Sequence, residues 1–402
     1  MPPPVLLLIV GVLLLLIRVL HLASKAGPPR LFCRDTTNNR RVIKLCPKLT
    51  ENYIPPLLWG KSGHVQTIIY GKMGRINSPF PRGQRHSVLM PDGATSTFDV
   101  FEPTSEHPSG QDYSLLICPG IANSSESLYI CTCVHFAQEQ GFRVAVLNHL
   151  GALRDVPLTS PRIFTYGDTA EYGAMVDRMR ELYPGHTAIG VGFSMGGNQL
   201  IKYLGEHPDH QKKFLCALSC CQGYDVERAV PALMSWEHLR RIYVWAMTLN
   251  MQGLLRFHQN ALFSPEVCKK NRWDFDLEKI FQASSLLHID REYTVKRGGF
   301  KTLQEFYRWC SSSQYIQNID IPVFILNSMD DPLIPCDLHD VPKKFARVKD
   351  NVIFATTDHG GHLGYFEGEM VIPETITWLD KIVVQYTNAA IAVYGKRGSL
   401  AF

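Results

Sequence analysis

The sequence predicts an α/β protein with a mostly parallel central sheet and helices on both faces. Short, continuous apolar runs such as YSLLIC (113–118), FRVAVLN (142–148) and PVFILN (322–327) are typical of parallel strands that are covered on both sides. Helical patterns lie between many of them, for example DTAEYGAMVDRMRELY before the run TAIGVG (187–192). This alternation of strand and helix predicts a doubly wound sheet.

The N-terminal part of the sequence is an apolar segment. Every residue from Val5 to Ile17 is apolar, and the long side chain of Arg18 can place its charge at a membrane surface. We therefore predict a transmembrane helix over residues 1–23 that acts as a single-pass membrane anchor. A cleaved signal peptide is the alternative, but no positive charge precedes the apolar run. Basic residues outnumber Asp35, the single acid between positions 24 and 44, which by itself favours a cytoplasmic flank.

Residues 24–85 form a predicted lead segment that is rich in Pro, Arg and Asn and contains the stretch LLWGKSGHVQTIIY. We expect this segment to be a linker that ends by packing on the main domain. The main domain is predicted to cover residues 86–402. It starts with the run HSVLM (86–90), which we expect to be a buried strand like the others.

A gap of about a hundred residues separates the predicted strands FLCALSC (214–220) and PVFILN (322–327). The gap contains no convincing strand. Apolar residues recur there at helical spacing, namely Leu239, Ile242, Ala246 and Leu249. The sequence therefore predicts a helical cap over about residues 224–316, inserted before the strand that leads to the predicted acid.

A Gly-x-Ser-x-Gly motif follows the run TAIGVG and comprises Gly192-Phe193-Ser194-Met195-Gly196. Glycines on both sides of the serine permit a sharp turn from strand to helix, which holds the hydroxyl clear of the sheet. The apolar run before the motif and the helical pattern after it are the context that such a nucleophile elbow requires. Ser194 is therefore the predicted nucleophile.

A serine hydroxyl needs a histidine to accept its proton and a carboxylate to orient that histidine. Asp330 and Asp331 both follow the run PVFILN, and we assign Asp331 as the acid. Either carboxylate, Asp330 in particular, is alternatively suited to cap the next turn. His359 and His362 share a glycine-rich segment near the C-terminus, and we assign His362 as the base. His359 is then a solvated loop residue, and His149 is a reserve base.

The negative charge that develops on an ester carbonyl requires backbone N–H donors, which form an oxyanion hole. The N–H of Met195, directly after the nucleophile, is one predicted donor. The second is the N–H of Ile121, in the loop that follows the run YSLLIC. The sole Asn-x-Ser/Thr sequon, at Asn123, lies in the same loop, where a glycan would block the site.

Composition excludes several other functions. The chain has 402 residues with 41 Lys+Arg against 37 Asp+Glu, and a net charge of +4 is too small for a nucleic-acid partner. The 11 cysteines contain no Cys-x-x-Cys pair, so we expect free thiols rather than a metal centre or a redox motif. We predict neither a metal nor another cofactor.

Taken together, the stretches WGKSGHVQT, ICPGIANSSESLYI, GFSMGGN, NSMDDPLIP and HGGHLGYFEG resemble the alpha/beta-hydrolase domain-containing proteins, and among them the membrane-anchored subfamily of members one to three. The resemblance covers nearly the whole chain. It implies the α/β-hydrolase fold and the triad Ser194, Asp331 and His362. It also implies a signal-anchor in an endomembrane such as the endoplasmic reticulum, and lipid esters such as acylglycerols or phospholipids as substrates. Membrane sidedness stays open.

Two functions fit these observations. The first is a serine esterase or lipase, in which apolar cap residues line an acyl tunnel that opens toward the membrane; the candidates are Trp236, Trp245, Met247 and Met251. The second is a catalytically silent ligand-binding or interaction protein that keeps the same fold at a membrane. The intact set of serine, aspartate and histidine favours the enzyme. Peptidase activity, the acyl-chain preference and the oligomeric state are left open.

Overall fold

A nine-stranded sheet forms the centre of the computed structural model, which describes residues 3–73, 75 and 77–395. The strands are β1 (Arg30–Phe32), β2 (Gln84–Leu89), β3 (Thr95–Phe101), β4 (Tyr113–Cys118), β5 (Arg143–Asn148), β6 (Thr187–Phe193), β7 (Cys216–Cys220), β8 (Val323–Ser328) and β9 (Val352–Thr357). Their order across the sheet is β1-β9-β8-β7-β6-β4-β5-β3-β2. The six strands β4 to β9 are mutually parallel, whereas β1, β2 and β3 pair antiparallel.

Helices cover both faces of the sheet, as predicted. The framework helices are α1 (Pro3–Val19), α2 (Thr37–Leu45), α3 (Gly63–Ile68), α4 (Leu128–Glu139), α5 (Ala170–Leu182), α6 (Met195–Glu206), α7 (Pro208–Gln211), α16 (Asp340–Val348) and α17 (Trp378–Tyr394). One core cluster joins α2, α4 and α17 to one face of the strands, and a second joins α5, α6 and α16 to the other. Each strand of the parallel centre therefore has apolar cover on two sides, which explains the continuous apolar runs in the sequence.

Within the described residues, the segment between β7 and β8 contains helices and no strand, as the absence of strand patterns predicts. Its helices are α8 (Val226–Leu233), α9 (Arg240–Phe257), α10 (Gln259–Phe263), α11 (Pro265–Asn271), α12 (Leu277–Phe281), α13 (Leu286–Ile289), α14 (Val295–Gly298) and α15 (Leu303–Cys310). We call residues 226–310, which carry these eight helices, the cap. A core cluster that includes Met251, Leu255 and Ile280 joins much of the cap to framework residues such as Leu150 and Met195.

The transmembrane helix predicted over residues 1–23 is not found. Helix α1 has 17 residues, and at about 1.5 Å per residue it is about 25 Å long. That length is short of the roughly 30 Å hydrocarbon core of a bilayer. Within the described residues, no helix combines the length and the apolar character that a membrane crossing needs. Residues 1–2 and 396–402, at the outer ends of the predicted boundaries, lie outside the described part.

One strand expectation differs from the structure, and one strand was not predicted, each for a physical reason. Most of the run HSVLM is not buried, because within the described sheet β2 is the outermost strand and pairs with β3 alone. None of the residues of β2 is buried, and of the run only Met90, just after the strand, is buried. Strand β3 is buried although its sequence, TSTFDVF, alternates polar and apolar residues. The carboxylate of Asp99 in β3 is paired with Arg85 and accepts hydrogen bonds from Ser125 and Asn148, so a polar strand is accommodated inside the sheet.

Part of the predicted lead segment belongs to the sheet. Strand β1 pairs antiparallel with β9, and Leu31 lies opposite Ala355. Helix α2 packs on α17 through buried residues such as Val42. The boundaries drawn at residues 24, 86, 224 and 316 stay a prediction, but this segment contributes to the framework before the chain reaches β2.

Candidate active site

Ser194 occupies a strained turn between β6 and α6. Its backbone has φ 54° and ψ −118°, a combination that costs about 1–3 kcal/mol for a residue with a side chain. The turn needs glycine on both sides, because a Cβ on Gly196 would lie 2.0 Å from the carbonyl oxygen of Cys118 and one on Gly192 would lie 2.5 Å from Gly197 Cα. The elbow that the motif predicts is therefore present, with the hydroxyl at the carboxyl end of the parallel strands.

Asp331 lies just after β8, and its side chain is buried. One carboxylate oxygen, Oδ1, accepts hydrogen bonds from the backbone N–H groups of Leu333 (2.8 Å) and Ile334 (3.0 Å). The other, Oδ2, lies 2.8 Å from His362 Nδ1. The turn after β8 is thus capped by Asp331 and not by Asp330, which the sequence favoured for capping; Asp330 Oδ1 instead accepts a hydrogen bond from the N–H of Gly361 (2.8 Å).

His362 joins the other two predicted residues. It lies in the loop after β9, which we call the histidine loop (residues 358–364), and its ring is buried. Its Nε2 is 2.8 Å from Ser194 Oγ, while its Nδ1 donates to Asp331. The three side chains therefore form one continuous hydrogen-bonded chain from hydroxyl to imidazole to carboxylate. This order lets the imidazole accept the hydroxyl proton while the carboxylate fixes its tautomer.

The other candidate histidines lie elsewhere. His149 Nε2 is 2.9 Å from the carbonyl oxygen of Pro119, and burial lowers the pKa of His149 to about 4. A ring held neutral against that carbonyl supports the loop after β4 and does not reach Ser194. His359 is not a solvated residue as expected: only 7% of it is exposed, and its Nε2 lies 2.8 Å from Ser24 Oγ.

The loop after β4 lies directly beside the nucleophile, as the oxyanion-hole prediction requires. A Cβ added to Gly120 would lie 3.6 Å from the Cβ of Ser194. Tyr129 fixes this loop, because its hydroxyl accepts a hydrogen bond from the N–H of Gly120 (2.8 Å). Met195 is the first residue of α6, so its N–H has no partner within the helix. The positions of Ile121 and Met195 beside Ser194 fit the predicted donors, and their role in an oxyanion hole stays a prediction.

Comparison with known proteins adds a family to this geometry. The family model described as "alpha/beta hydrolase fold" matches residues 113–369. The chain belongs to the alpha/beta hydrolase fold family. Monoacylglycerol lipase ABHD2 of Homo sapiens is 48% identical over 382 residues, which cover 95% of this chain and 90% of that protein. Abhydrolase domain-containing protein 2 of Drosophila melanogaster is 41% identical over 391 residues, which cover 96% of each chain.

A more distant relative, phospholipase ABHD3 of Mus musculus, is 26% identical over 378 residues, which cover 92% of this chain and 86% of that protein. These similarities confirm the predicted membership of the alpha/beta-hydrolase domain-containing proteins. They extend over the cap and most of the lead segment as well as the sheet, since more than nine-tenths of the chain is covered in each case.

A cavity of about 880 Å³ opens above Ser194 and His362 of this alpha/beta hydrolase. The four cap residues that recur at helical spacing, Leu239, Ile242, Ala246 and Leu249, all line it, together with Met247 of α9. The other proposed tunnel residues do not: Met251 is buried in the core of the cap, and Trp236 (64% exposed) and Trp245 (54%) face outward. Met247, Trp245 and Met251 all belong to α9 but lie on different sides of the helix. Met251 packs into the core cluster, Trp245 faces solvent, and Met247 faces the cavity.

Sequence reasoning missed the support that helix α3 gives to the histidine loop. Thr67 Oγ1 accepts a hydrogen bond from the N–H of His362 (2.9 Å) and donates one to the carbonyl of Gly63 (2.7 Å). Gln66 is fully buried, and its Oε1 accepts from the N–H of Phe366 (3.0 Å). The stretch WGKSGHVQT contains these residues, but only the tertiary contact shows that they brace the loop that carries the base.

Three side chains of the site also lie close enough to share a metal ion: Cys221, Asp331 and His362, whose ligand atoms are within 4.8 Å of one another. Both ring nitrogens of His362 are already hydrogen-bonded. Burial raises the pKa of the Cys221 thiol, so the sulfur stays protonated, whereas metal ligation needs the thiolate. The arrangement therefore suits proton transfer better than metal binding. All 11 cysteines are free thiols.

Proposed function

We propose that the protein is a carboxylic ester hydrolase that cleaves lipid esters of the acylglycerol class through a Ser194–His362–Asp331 triad. The single observation that carries the proposal is the chain of two 2.8 Å hydrogen bonds that links these side chains at the floor of an open, largely apolar cavity. A set of groups arranged in this order is what activates a serine hydroxyl for acyl transfer. The similarity to monoacylglycerol lipase ABHD2 supports the substrate class.

The reaction has two halves. Ser194 Oγ attacks the ester carbonyl while His362 Nε2 takes its proton, and Asp331 stabilises the imidazolium through Nδ1. The bond to the alcohol then breaks, and His362 returns the proton to the leaving glycerol oxygen. A water molecule, deprotonated by the same nitrogen, hydrolyses the acyl-enzyme, which releases the fatty acid and restores the Ser194 hydroxyl. The N–H groups of Met195 and Ile121 stabilise the oxyanion in both halves, with roughly 3 kcal/mol per donor.

The cavity supports an acyl chain as the recognised part of the substrate. Its volume of about 880 Å³ lies within the range of sites that enclose small ligands. Ile242, Leu249 and Phe257 of α9 present apolar side chains to it. Transfer of an acyl chain from water to these side chains is favourable by roughly 0.8 kcal/mol for each buried CH₂.

Labelling with a fluorophosphonate probe and lipid hydrolysis test the proposal together. The wild-type protein should be labelled and should release fatty acid from a monoacylglycerol, and Ser194→Ala should do neither. Ser127→Ala is the matched control, because Ser127 lines the same cavity but bonds to the N–H of Ser124 and not to a histidine. A well-folded wild-type protein that resists the probe and releases no fatty acid would instead support the ligand-binding alternative.

The proposal includes a lipid surface as a partner. The apolar side chains of α1 are exposed along the helix, and Trp236 and Trp245 of the cap are more than half exposed. Arg18 lies in the last turn of α1, and the guanidinium of Arg241 lies 5.3 Å from the ring centre of Trp236. Exposed tryptophans beside basic residues are typical of protein surfaces that lie at a bilayer interface.

Flotation with vesicles of phosphatidylcholine and phosphatidylserine tests this contact. The double variant Trp236→Ala, Trp245→Ala should float less than the wild type at the same lipid concentration. Val348→Ala is the control, because Val348 is equally exposed but lies before the amino end of β9, at the sheet edge opposite the site. Equal flotation of all three proteins would show that the two cap tryptophans do not contribute to the proposed lipid contact.

A further inference from the structure

The segment that follows α1 lies against the active-site loops. Ser24 Oγ is 2.8 Å from His359 Nε2, in the histidine loop. Lys61 Nζ donates to the carbonyl oxygens of Leu22 (3.1 Å) and Ser24 (2.5 Å), which fixes the segment next to helix α3. Residues that precede β1 therefore make direct contact with the loop that carries His362.

His359 faces a second carboxylate on its other side. Its Nδ1 lies 3.7 Å from Asp330 Oδ2, and within the described residues neither atom has a hydrogen-bond partner. The other oxygen of Asp330 accepts the hydrogen bond from the N–H of Gly361, which directly precedes His362. Asp330 is thus bonded to the histidine loop and is the neighbour of Asp331, which holds the His362 ring.

The tautomer of His359 decides whether this arrangement is attractive. If the Ser24 hydroxyl donates to Nε2, the ring proton resides on Nδ1 and points at the Asp330 carboxylate. If Ser24 were absent, the proton could move to Nε2, and the Nδ1 lone pair would then face the carboxylate oxygen. The Asp330 carboxylate can only accept, so it favours the ring proton on Nδ1, and the Ser24 hydroxyl then donates to Nε2 and holds the ring in that form.

On the basis of the function proposed above, we propose that Ser24 and His359 are positioning residues that hold the histidine loop at the distance at which His362 reaches both Ser194 and Asp331. They act through Asp330 and Gly361 and do not touch the substrate. The segment directly after the exposed apolar helix α1 is consequently part of the active-site support, and a change in that segment changes the geometry of the base.

Steady-state kinetics of full-length Ser24→Ala on a monoacylglycerol test this inference. We expect kcat to fall about 10-fold with KM unchanged, because a slightly misplaced base affects the chemical step and leaves the acyl cavity intact. Ser24→Thr, which keeps the hydroxyl, should restore kcat to within about twofold of the wild type. Lys25→Ala is the control, because Lys25 is exposed in the same segment and its replacement removes no contact to the histidine loop.

A double-variant comparison separates the proposed link from a general loss of structure. His359→Gln should lower kcat by the same factor as Ser24→Ala, and the combined variant should be no slower than either, because both remove one contact. The inference would be overturned if the combined variant lost kcat by the product of the two single factors, or if the kcat of Ser24→Ala stayed within twofold of the wild type. Its failure is distinguishable from failure of the proposed function: in the latter case either the wild type itself would release no fatty acid, or Ser194→Ala would still hydrolyse the monoacylglycerol.

Discussion

The loops that carry Ser194, Asp331 and His362 and the cap that lies above them are built in opposite ways. In the loops, the buried polar groups are held by short hydrogen bonds to backbone atoms and to each other. In the cap, α9 packs one face into a small core and leaves an apolar stripe, with Ile242, Leu249 and Phe257 about half exposed, toward the cavity and solvent.

The difference separates two tasks. Acyl transfer requires atoms fixed to within a fraction of an ångström, and the three candidate residues lie on loops that end parallel strands and are restrained from several sides. Recognition of an acyl chain depends on apolar area and shape, which an exposed helix face supplies without fixed polar contacts. We therefore expect changes in the loops to alter the rate for every ester, and changes in the cap to alter the choice among esters.

The largest effect is expected from Asp331→Asn. An amide cannot hold His362 in the required tautomer, so kcat should fall by about 10⁴-fold with the fold intact. Asp330→Asn is the matched variant. Its kcat should fall by no more than about 10-fold, because the amide oxygen can still accept the hydrogen bond from the N–H of Gly361. Measurement of kcat for both on one short-chain ester decides between them; a greater loss for Asp330→Asn would reassign the acid.

Asp290 gives the cap a pH-dependent stability that the loops should not share. The carboxyl is fully buried beside Tyr307 and Thr294, and burial raises the pKa of Asp290 to about 7. Between about pH 4 and pH 7 the folded protein keeps a proton that the unfolded chain has released, so the free energy of unfolding decreases as the pH rises through this range. The stabilising contribution is fully present below about pH 4 and is lost above about pH 7.

Denaturant unfolding at pH 5 and pH 8 should show this contribution. We expect the wild type to lose on the order of a few kcal/mol more than Asp290→Asn between the two values, since asparagine does not titrate. Asp274→Asn, an exposed carboxylate of the cap, should behave like the wild type. Equal pH dependence in the wild type and Asp290→Asn would mean that Asp290 is ionised at both values.

Thr67→Val tests the support beneath His362. The variant keeps the shape of the side chain but loses the oxygen that accepts from the N–H of His362, so we expect a fall in kcat of about 10-fold, whereas Thr67→Ser should stay close to the wild type. The fall should be the same for short and long acyl esters. A loss confined to long-chain esters would instead assign Thr67 to substrate recognition, since it also lines the cavity.

The smallest effect is expected in the cap. Leu249→Ala removes apolar area from the cavity lining and should lower kcat/KM for a long-chain monoacylglycerol by several-fold relative to a short-chain ester, about 1 kcal/mol. Trp245→Ala removes a larger side chain that lies outside the cavity lining and should leave this ratio unchanged. If both variants shift the ratio equally, the chain-length preference does not arise in the cavity.

The sequence by itself determined the parallel centre of the sheet and the position of the candidate nucleophile. Parallel strands covered on two faces are mostly apolar, and a nucleophile on a strand-to-helix turn must be flanked by glycine, so both features leave a local signal, in β4 to β9 and around Ser194. The spacing of Leu239, Ile242, Ala246 and Leu249 likewise marked the helix face that lines the cavity.

Only the tertiary structure decided which of two adjacent aspartates and which of two nearby histidines face the serine, and what supports them. Asp330 and Asp331, or His359 and His362, differ little in local sequence, and their roles follow from contacts with residues about 30 to 335 positions away. Ser24, Thr67 and the polar strand β3 were invisible for the same reason: a hydrogen bond between distant segments leaves no periodic pattern in either one.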